Sequence, residues 1–184
     1  MGKEDDELRT LVDRARSQDR EAFGLIYDMY YERIYRFAYY KIGNVADAED
    51  IAAQTFTGAL RTIANFKWTG SSFDSWLFRI AHNVTVDTYR RNGKAKLEPV
   101  DEHLTIASAS DTSSEAIGRV EHARVRKLID RLPDEQKRVL ILKFIVGMSN
   151  KEVGAAINKT AGAIKALQFR GLNTLKATLR EEGD

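Results

Sequence analysis

Apolar residues recur at three- and four-residue intervals along most of this 184-residue chain, the spacing of helices that bury one face. A weak helix precedes Asp19, with Leu8, Leu11, Val12 and Ala15 in phase. Asp19 is placed to cap a long helix over Glu21–Ile42, whose stripe is Phe23, Ile26, Tyr27, Tyr30, Ile34, Phe37 and Ala38 and whose end is Gly43-Asn44. A second helix is expected from Ala46 to Ala64, burying Ala48, Ile51, Ala52, Phe56, Ala59, Leu60 and Ile63. After a loop at Asn65–Phe73, Asp74 or Ser75 starts a third helix that runs to Arg91, with Trp76, Leu77, Ile80, Ala81 and Val84 apolar and Asn92-Gly93 as the stop. Four more helices are expected near Ser114–Leu132, Asp134–Val146 after Pro133, Asn150–Ile157 and Ala161–Arg180. No segment alternates as a strand does, so the fold class is all-α.

One strip breaks the periodicity. Residues 97–115, LEPVDEHLTIASASDTSSE, hold five acids and no Lys or Arg, and read as a linker. It separates a first domain, 1–96, with 15 basic and 14 acidic residues, from a second, 116–184, with 14 basic and 8 acidic. Extended, the 19 residues of the strip reach up to roughly 60 Å at about 3.3 Å each. The two domains are therefore expected to be able to touch distant points on one large partner.

The second domain points to that partner. From Gly147 to Arg180 there are six Lys or Arg and one Glu. Ser149 and Glu152 have the spacing of a capping box, Val153, Ala156 and Ile157 form an apolar face, and Asn158-Lys159 interrupts. Thr160 then caps a basic helix with Ile164, Leu167, Leu172, Leu175 and Leu179 inside. A short helix, a turn and a basic amphipathic helix is the helix-turn-helix pattern, whose second helix enters the DNA major groove. A plain helical hairpin with a solvated basic face has the same pattern.

Composition removes several classes. No run of eighteen apolar residues is present, so no membrane insertion is expected, and MGKEDDELRT lacks a secretory core. There are no cysteines, which excludes disulfides and thiolate metal sites and suits a reducing cytoplasm. His82, His103 and His122 show no ligand spacing, and no phosphate loop or nucleophile motif occurs. Neither a cofactor, a metal nor catalysis is expected. Asp47, Glu49 and Asp50 fall within one helical turn and lack the second cluster a metal-dependent enzyme would need.

Three stretches together resemble the sigma factors of bacterial RNA polymerase, in their extracytoplasmic-function (ECF) class of the sigma-70 family. They are AFGLIYDMYYERIYRFAYYKIGNVADAEDIAAQTFTGAL, FKWTGSSFDSWLFRIAHNVTVDTYRR and LPDEQKRVLILKFIVGMSNKEVGAAINKTAGAIKALQFRGLNTLK. The first is similar to the family's aromatic helix, Asp-Ala-Glu-Asp and Thr-Phe pair. The second matches its Trp-Leu, Arg-Ile-Ala, Asn and Tyr-Arg-Arg, and the third its Leu-Pro, Arg-x-Val-Leu, Ser-x-x-Glu-Val and Ile-Lys-x-x-x-x-Arg. The resemblance covers about residues 8–94 and 116–180.

It implies a transcription initiation factor with sigma region 2 in the first domain and region 4 in the second. Asp47, Glu49, Asp50 and Gln54 would dock on a basic coiled coil of core RNA polymerase; on the residues alone, helix capping by Asp47 accounts for the same acids. Phe66, Lys67, Trp68, Ser71, Ser72 and Phe73 in the loop, with Arg79, Asn83, Arg90 and Arg91 on the next helix, would hold the separated minus-ten strand of promoter DNA, Lys94 and Lys96 adding phosphate contacts. Helix phase alone assigns Trp76 to the core. Lys159, Thr160, Lys165, Gln168 and Arg170 would read the minus-thirty-five element. Many members have Ser-Arg-Leu after the Lys where this chain has Ala166-Leu167-Gln168, which puts its promoter sequence in doubt. The linker either threads a basic channel of the polymerase or is a plain tether. The resemblance also implies an anti-sigma protein as partner, and little chain follows Arg180 for an appended control domain. A helix-turn-helix regulator that does not bind core polymerase is the alternative; it leaves the aromatic loop unassigned.

Overall fold

The computed structural model describes residues 3–68, 72–91 and 124–181, and every regular element among them is helical. Helices α1 (Lys3–Arg16), α2 (Arg20–Ile42), α3 (Val45–Thr62) and α4 (Phe73–Arg91) form the first block, with a 3-10 turn at Ile63–Asn65 between α3 and α4. In the second block α5 covers 124–130. It is followed by α6 (Asp134–Leu140), a π turn (Ile141–Ile145), α7 (Asn150–Ile157) and α8 (Ala161–Glu181). Ser71, Lys94, Lys96, His103, His122 and the strip 97–115 lie outside the described residues.

Short polar residues start the helices by satisfying amide groups that have no partner within the first turn. Asp19 caps α2 by accepting from Ala22 N, and Gly43, at φ 84°, closes the helix with its N–H on Tyr39 O. Ser149 and Glu152 form the expected capping box on α7. Thr160 caps α8, its Oγ1 accepting from Ala163 N at 3.2 Å. Two starts differ from the sequence reading. Asn44, not Asp47, caps α3, accepting from Asp47 N at 3.0 Å. Ser72 takes the capping position of α4: its Oγ accepts from Ser75 N at 3.3 Å and its carbonyl from Trp76 N. Asp74 is instead bound by Tyr30 Oη at 2.8 Å and by Arg33.

The stripes close one core. Ile26, Tyr30, Ile34 and Phe37 of α2 meet Phe56 of α3 and Phe73, Leu77 and Phe78 of α4, with Phe37 edge-on to Phe78 at 5.8 Å. Leu11, Val12 and Ala15 anchor α1, confirming the weak pattern before Asp19. Leu60, expected inside, is 55% exposed, because α3 turns it outward from the face that carries Phe56, Ala59 and Ile63. In α8 the buried row is Ile164, Leu167, Gly171 and Thr178, whereas Leu172 and Leu179 are exposed. Gly171 wins that position because α6 lies close: a Cβ there would meet Leu140 Cδ1 at 3.0 Å. Gly154, within α7, is more tightly constrained by the turn that follows the helix: a Cβ there would stand 2.5 Å from the carbonyl oxygen of Lys159. Helix α6 stops at Leu140 where a helix to Val146 was expected, and the chain continues as a π turn, Val146 N donating to Ile141 O.

The two blocks pack on each other, and the apolar cluster runs from Val12 through Phe78 to Ile164 and Leu167. Helix α4 lies against α7: Ser75 Oγ donates to Glu152 O at 3.2 Å and Arg79 to Ala155 O at 2.6 Å. Lys41, at the end of α2, is 2% exposed and donates to Asp134 Oδ1 at 2.6 Å. The Arg126 guanidinium occupies the space that a Cβ on Gly43 would fill and sits over Tyr39.

Candidate nucleic-acid interface

Three surfaces carry the sequence-predicted residues. The first is the N-terminal end of α3. With Asn44 as the cap, Asp47 is freed from that duty and stands half-buried, while Glu49 and Asp50 are exposed. Carboxylates suit this end of the helix dipole. Gln54 joins them: its Nε2 donates to Asp50 Oδ2 and its Oε1 accepts from Arg91 at 3.1 Å. Arg91, expected on minus-ten DNA, is thereby tied to the acidic end of α3, and it also donates to Thr88 Oγ1. Beside the acids runs a ladder of rings, Tyr27, Tyr31, Tyr35 and Tyr39, with centroids 5.2, 6.3 and 6.2 Å apart; of these the apolar stripe of the sequence includes only Tyr27. Their i, i+4 spacing was the available signal. Burial, then Tyr39 and Glu49, push the Tyr35 hydroxyl up to about 12.

The second surface is the loop between the 3-10 turn and α4. Phe66 and Phe73 are 4% and 1% exposed. They pack with Trp76 at 5.2 Å each and with one another at 5.6 Å. They pin the two limbs of the loop and offer no free face, although their place in a polar loop suggests an exposed aromatic surface; burial in the core outweighs that place. Ser72 is likewise committed as a cap. Lys67 is exposed. Trp68 is half-buried, T-shaped against Phe66 at 4.9 Å. On α4, Asn83 and Arg90 are exposed, whereas Arg79 is bonded to α7. His82 faces the second block. Its Nδ1 is buried without a partner, and burial, then Arg138 and Lys41, lower its pKa to about 4.

The third surface is α8. Its outward row holds Lys165, Ala166 and Phe169, with Arg170 beside it. Phe169 is 67% exposed, the most exposed of the large apolar side chains among the described residues, and the sequence reading missed it; its place four residues after Lys165 was the clue. Gln168 flanks this row half-buried, next to buried Leu167. Thr160 spends its oxygen on the cap. Lys159 is paired with Glu135 at 2.7 Å, and that contact holds the Glu135 carboxyl below its usual range. The structure therefore sets Lys165 and Phe169 side by side and draws Lys159 toward α6.

Comparison with known proteins gives the family. Residues 26–95 match Sigma-70 region 2 and residues 122–175 match Sigma-70, region 4. The chain is 34% identical over 177 residues to the ECF RNA polymerase sigma factor BldN of Streptomyces coelicolor, spanning 95% of this chain and 67% of that one. The chain belongs to the ECF RNA polymerase sigma factors. This sigma factor is also 30% identical over 183 residues to SigW of Bacillus subtilis, covering 95% of this chain and 97% of that one. A solved structure of CnrH in complex with the cytosolic domain of CnrY superimposes with a TM-score of 0.73 at 26% identity, over 94% of this chain and 97% of that one. The sigma factor is thus a transcription initiation factor, which brings core RNA polymerase to promoters and helps open them. The match to region 2 tells against the alternative of a helix-turn-helix regulator that does not bind core polymerase. No helix among the described residues is long and apolar enough to cross a membrane.

Proposed function

We propose that residues 1–96 act as region 2 and 116–184 as region 4, with 97–115 as the connecting linker, in the cytoplasm and without catalytic chemistry of their own. Asp47, Glu49, Asp50 and Gln54 dock on basic side chains of core polymerase, with Arg91 steadying Gln54. Charge complementarity there sets orientation and association rate. Lys67, Asn83 and Arg90 meet the separated minus-ten strand, Asn83 offering both donors and acceptors to a base edge. The face of Lys165, Ala166 and Phe169 enters the major groove at the minus-thirty-five element.

The observation that carries this reading is the division of α8 into a buried row, Ile164–Leu167–Gly171, and an outward row headed by Lys165 and Phe169. It is supported by a capped α7 that fixes the turn before α8. Elements named for positions ten and thirty-five are separated by about 25 base pairs, roughly 85 Å at 3.4 Å per pair. The packing of α4 on α7 holds both reading helices in one compact body. It is therefore a resting form that opens before the promoter is bound, and an anti-sigma partner is a natural ligand for it.

Reconstitution with core polymerase tests the assignment. Asp47→Lys with Asp50→Lys abolishes capture of core polymerase while circular dichroism stays native. Asn83→Ala keeps capture but lowers permanganate reactivity of the minus-ten bases, at a cost of about 1–3 kcal/mol for a lost base-edge contact. Capture by the double variant at the wild-type level, or unchanged reactivity for Asn83→Ala, overturns the corresponding role.

A further inference from the structure

Trp68 is fastened to α1. Its indole N–H donates to Asp13 Oδ1 at 3.2 Å, the Arg9 guanidinium lies 5.2 Å from its ring centroid, and its edge meets Phe66 at 4.9 Å. Here a face and the N–H are both taken by a helix fifty-five residues away in sequence. The clasp is separable from what holds α1 in place: Leu11, Val12 and Ala15 bury that helix, at 9%, 0% and 3% exposure, whereas Asp13 is half-exposed and Arg9 is exposed. The first limb of the loop is thus fixed at two points, in the core by Phe66 and on α1 by Trp68. The second limb is fixed in the core by Phe73 and Trp76.

We propose that Arg9 and Asp13 are positioning residues for promoter opening: by clasping Trp68 they hold the limb Phe66–Trp68 at the distance from α4 at which Lys67 and Asn83 face one strand together. The inference rests on the assignment of that loop and Asn83 to the minus-ten strand. Trp68 then acts as a rivet, with its N–H and one face committed to the protein, in place of the stacking platform that a polar loop tryptophan suggests. A cation over an indole and one hydrogen bond are each modest at a half-exposed site, and pre-organisation acts by sparing the loop an ordering cost at the moment of binding. The discrimination between minus-ten sequences is therefore the quantity that falls, while attachment to polymerase and to the upstream element stays.

The test uses the full chain with core polymerase, on a promoter and its single-base minus-ten variants, read by permanganate reactivity. Arg9→Ala with Asp13→Ala is expected to lower open-complex formation roughly five- to tenfold on the best promoter and to narrow the gap to the variants. Polymerase capture, upstream-element binding and melting temperature stay near wild type. Arg9→Lys with Asp13→Asn, which keeps a cation and an acceptor, restores opening. If Arg9→Ala with Asp13→Ala opens promoters as wild type does while Asn83→Ala is impaired, the clasp is wrong and the loop assignment survives. If Asn83→Ala is also unimpaired, the loop assignment falls and the inference with it. An equal loss of polymerase capture, upstream binding and melting temperature in the alanine pair overturns it too, by showing a general structural role.

Discussion

Replacing Asp134 by Ala should open the molecule without unfolding it. Lys41 is 2% exposed, and burial holds its ammonium below the usual lysine range. Asp134 is the carboxylate that acts on it, at 2.6 Å, while Lys137 and Arg138 oppose it as cations. Removing one partner of a buried pair costs about 3–5 kcal/mol when the other charge is left stranded. Here the Asp134 side chain is 77% exposed, so water screens part of the attraction and about 2 kcal/mol is the better figure. That is roughly a thirtyfold shift in an equilibrium. The stranded ammonium regains water most cheaply if α6 lifts from α2, because the aromatic core of the first block does not involve Asp134. Small-angle scattering reads this directly. A compact chain of 184 residues has a radius of gyration of about 16 Å, and Asp134→Ala should move it upward while helical content is kept. Adding Lys41→Met removes the charge that needed a partner and should return the radius toward the closed value. If Asp134→Ala scatters as wild type does, or if Lys41→Met fails to reverse an expansion, the ion pair adds nothing to the closure that the packing of α4 on α7 provides.

Two further outcomes follow from the same geometry. His82 is neutral in the folded chain down to a pKa of about 4 against an ordinary value of 6.5, so between those values the unfolded chain binds the extra proton and stability falls as pH drops through that window; melting temperature against pH should show the fall, and His82→Gln should flatten the part above pH 5, a flat wild-type profile refuting the assignment. Phe169→Ala should weaken upstream-element binding by about 1–3 kcal/mol at a thymine-bearing position and Gln168→Ala should lose less, since Gln168 is half-buried beside Leu167; a panel of single-base variants measures both, and an equal loss across every variant for Phe169→Ala means that it reads no base.

Much of the helical layout was legible because it is written locally. Asp19, Gly43, and the pair Ser149 and Glu152 act within one turn of themselves, so their spacing suffices. What was missed depends on neighbours distant in sequence. A leucine at 172 looks like the continuation of the row at 164 and 167, but the close approach of α6 puts glycine at 171 in that row and turns the leucine out. Asp47 is a local exception: it resembles a cap until Asn44, three residues before it, is seen to accept from its amide. Phe66 and Phe73 sit among polar loop residues in the sequence, and only the fold shows both limbs of the loop driven into the core. Of the site, the acids of α3 and the basic row of α8 were readable from charge and phase. The binding of Arg79 to α7 and of Trp68 to α1 was not, because each joins elements more than fifty residues apart.

The glycine at 154 fixes the elbow of the helix-turn-helix by contact with a main-chain oxygen, an atom every residue type supplies. The angle at which α8 leaves the scaffold is thus insulated from substitutions on its outward row. Lys165, Ala166 and Phe169 can be exchanged while the docking geometry stays, so that promoter preference is free to diverge, or to be redesigned, on a frame that does not have to be re-evolved each time.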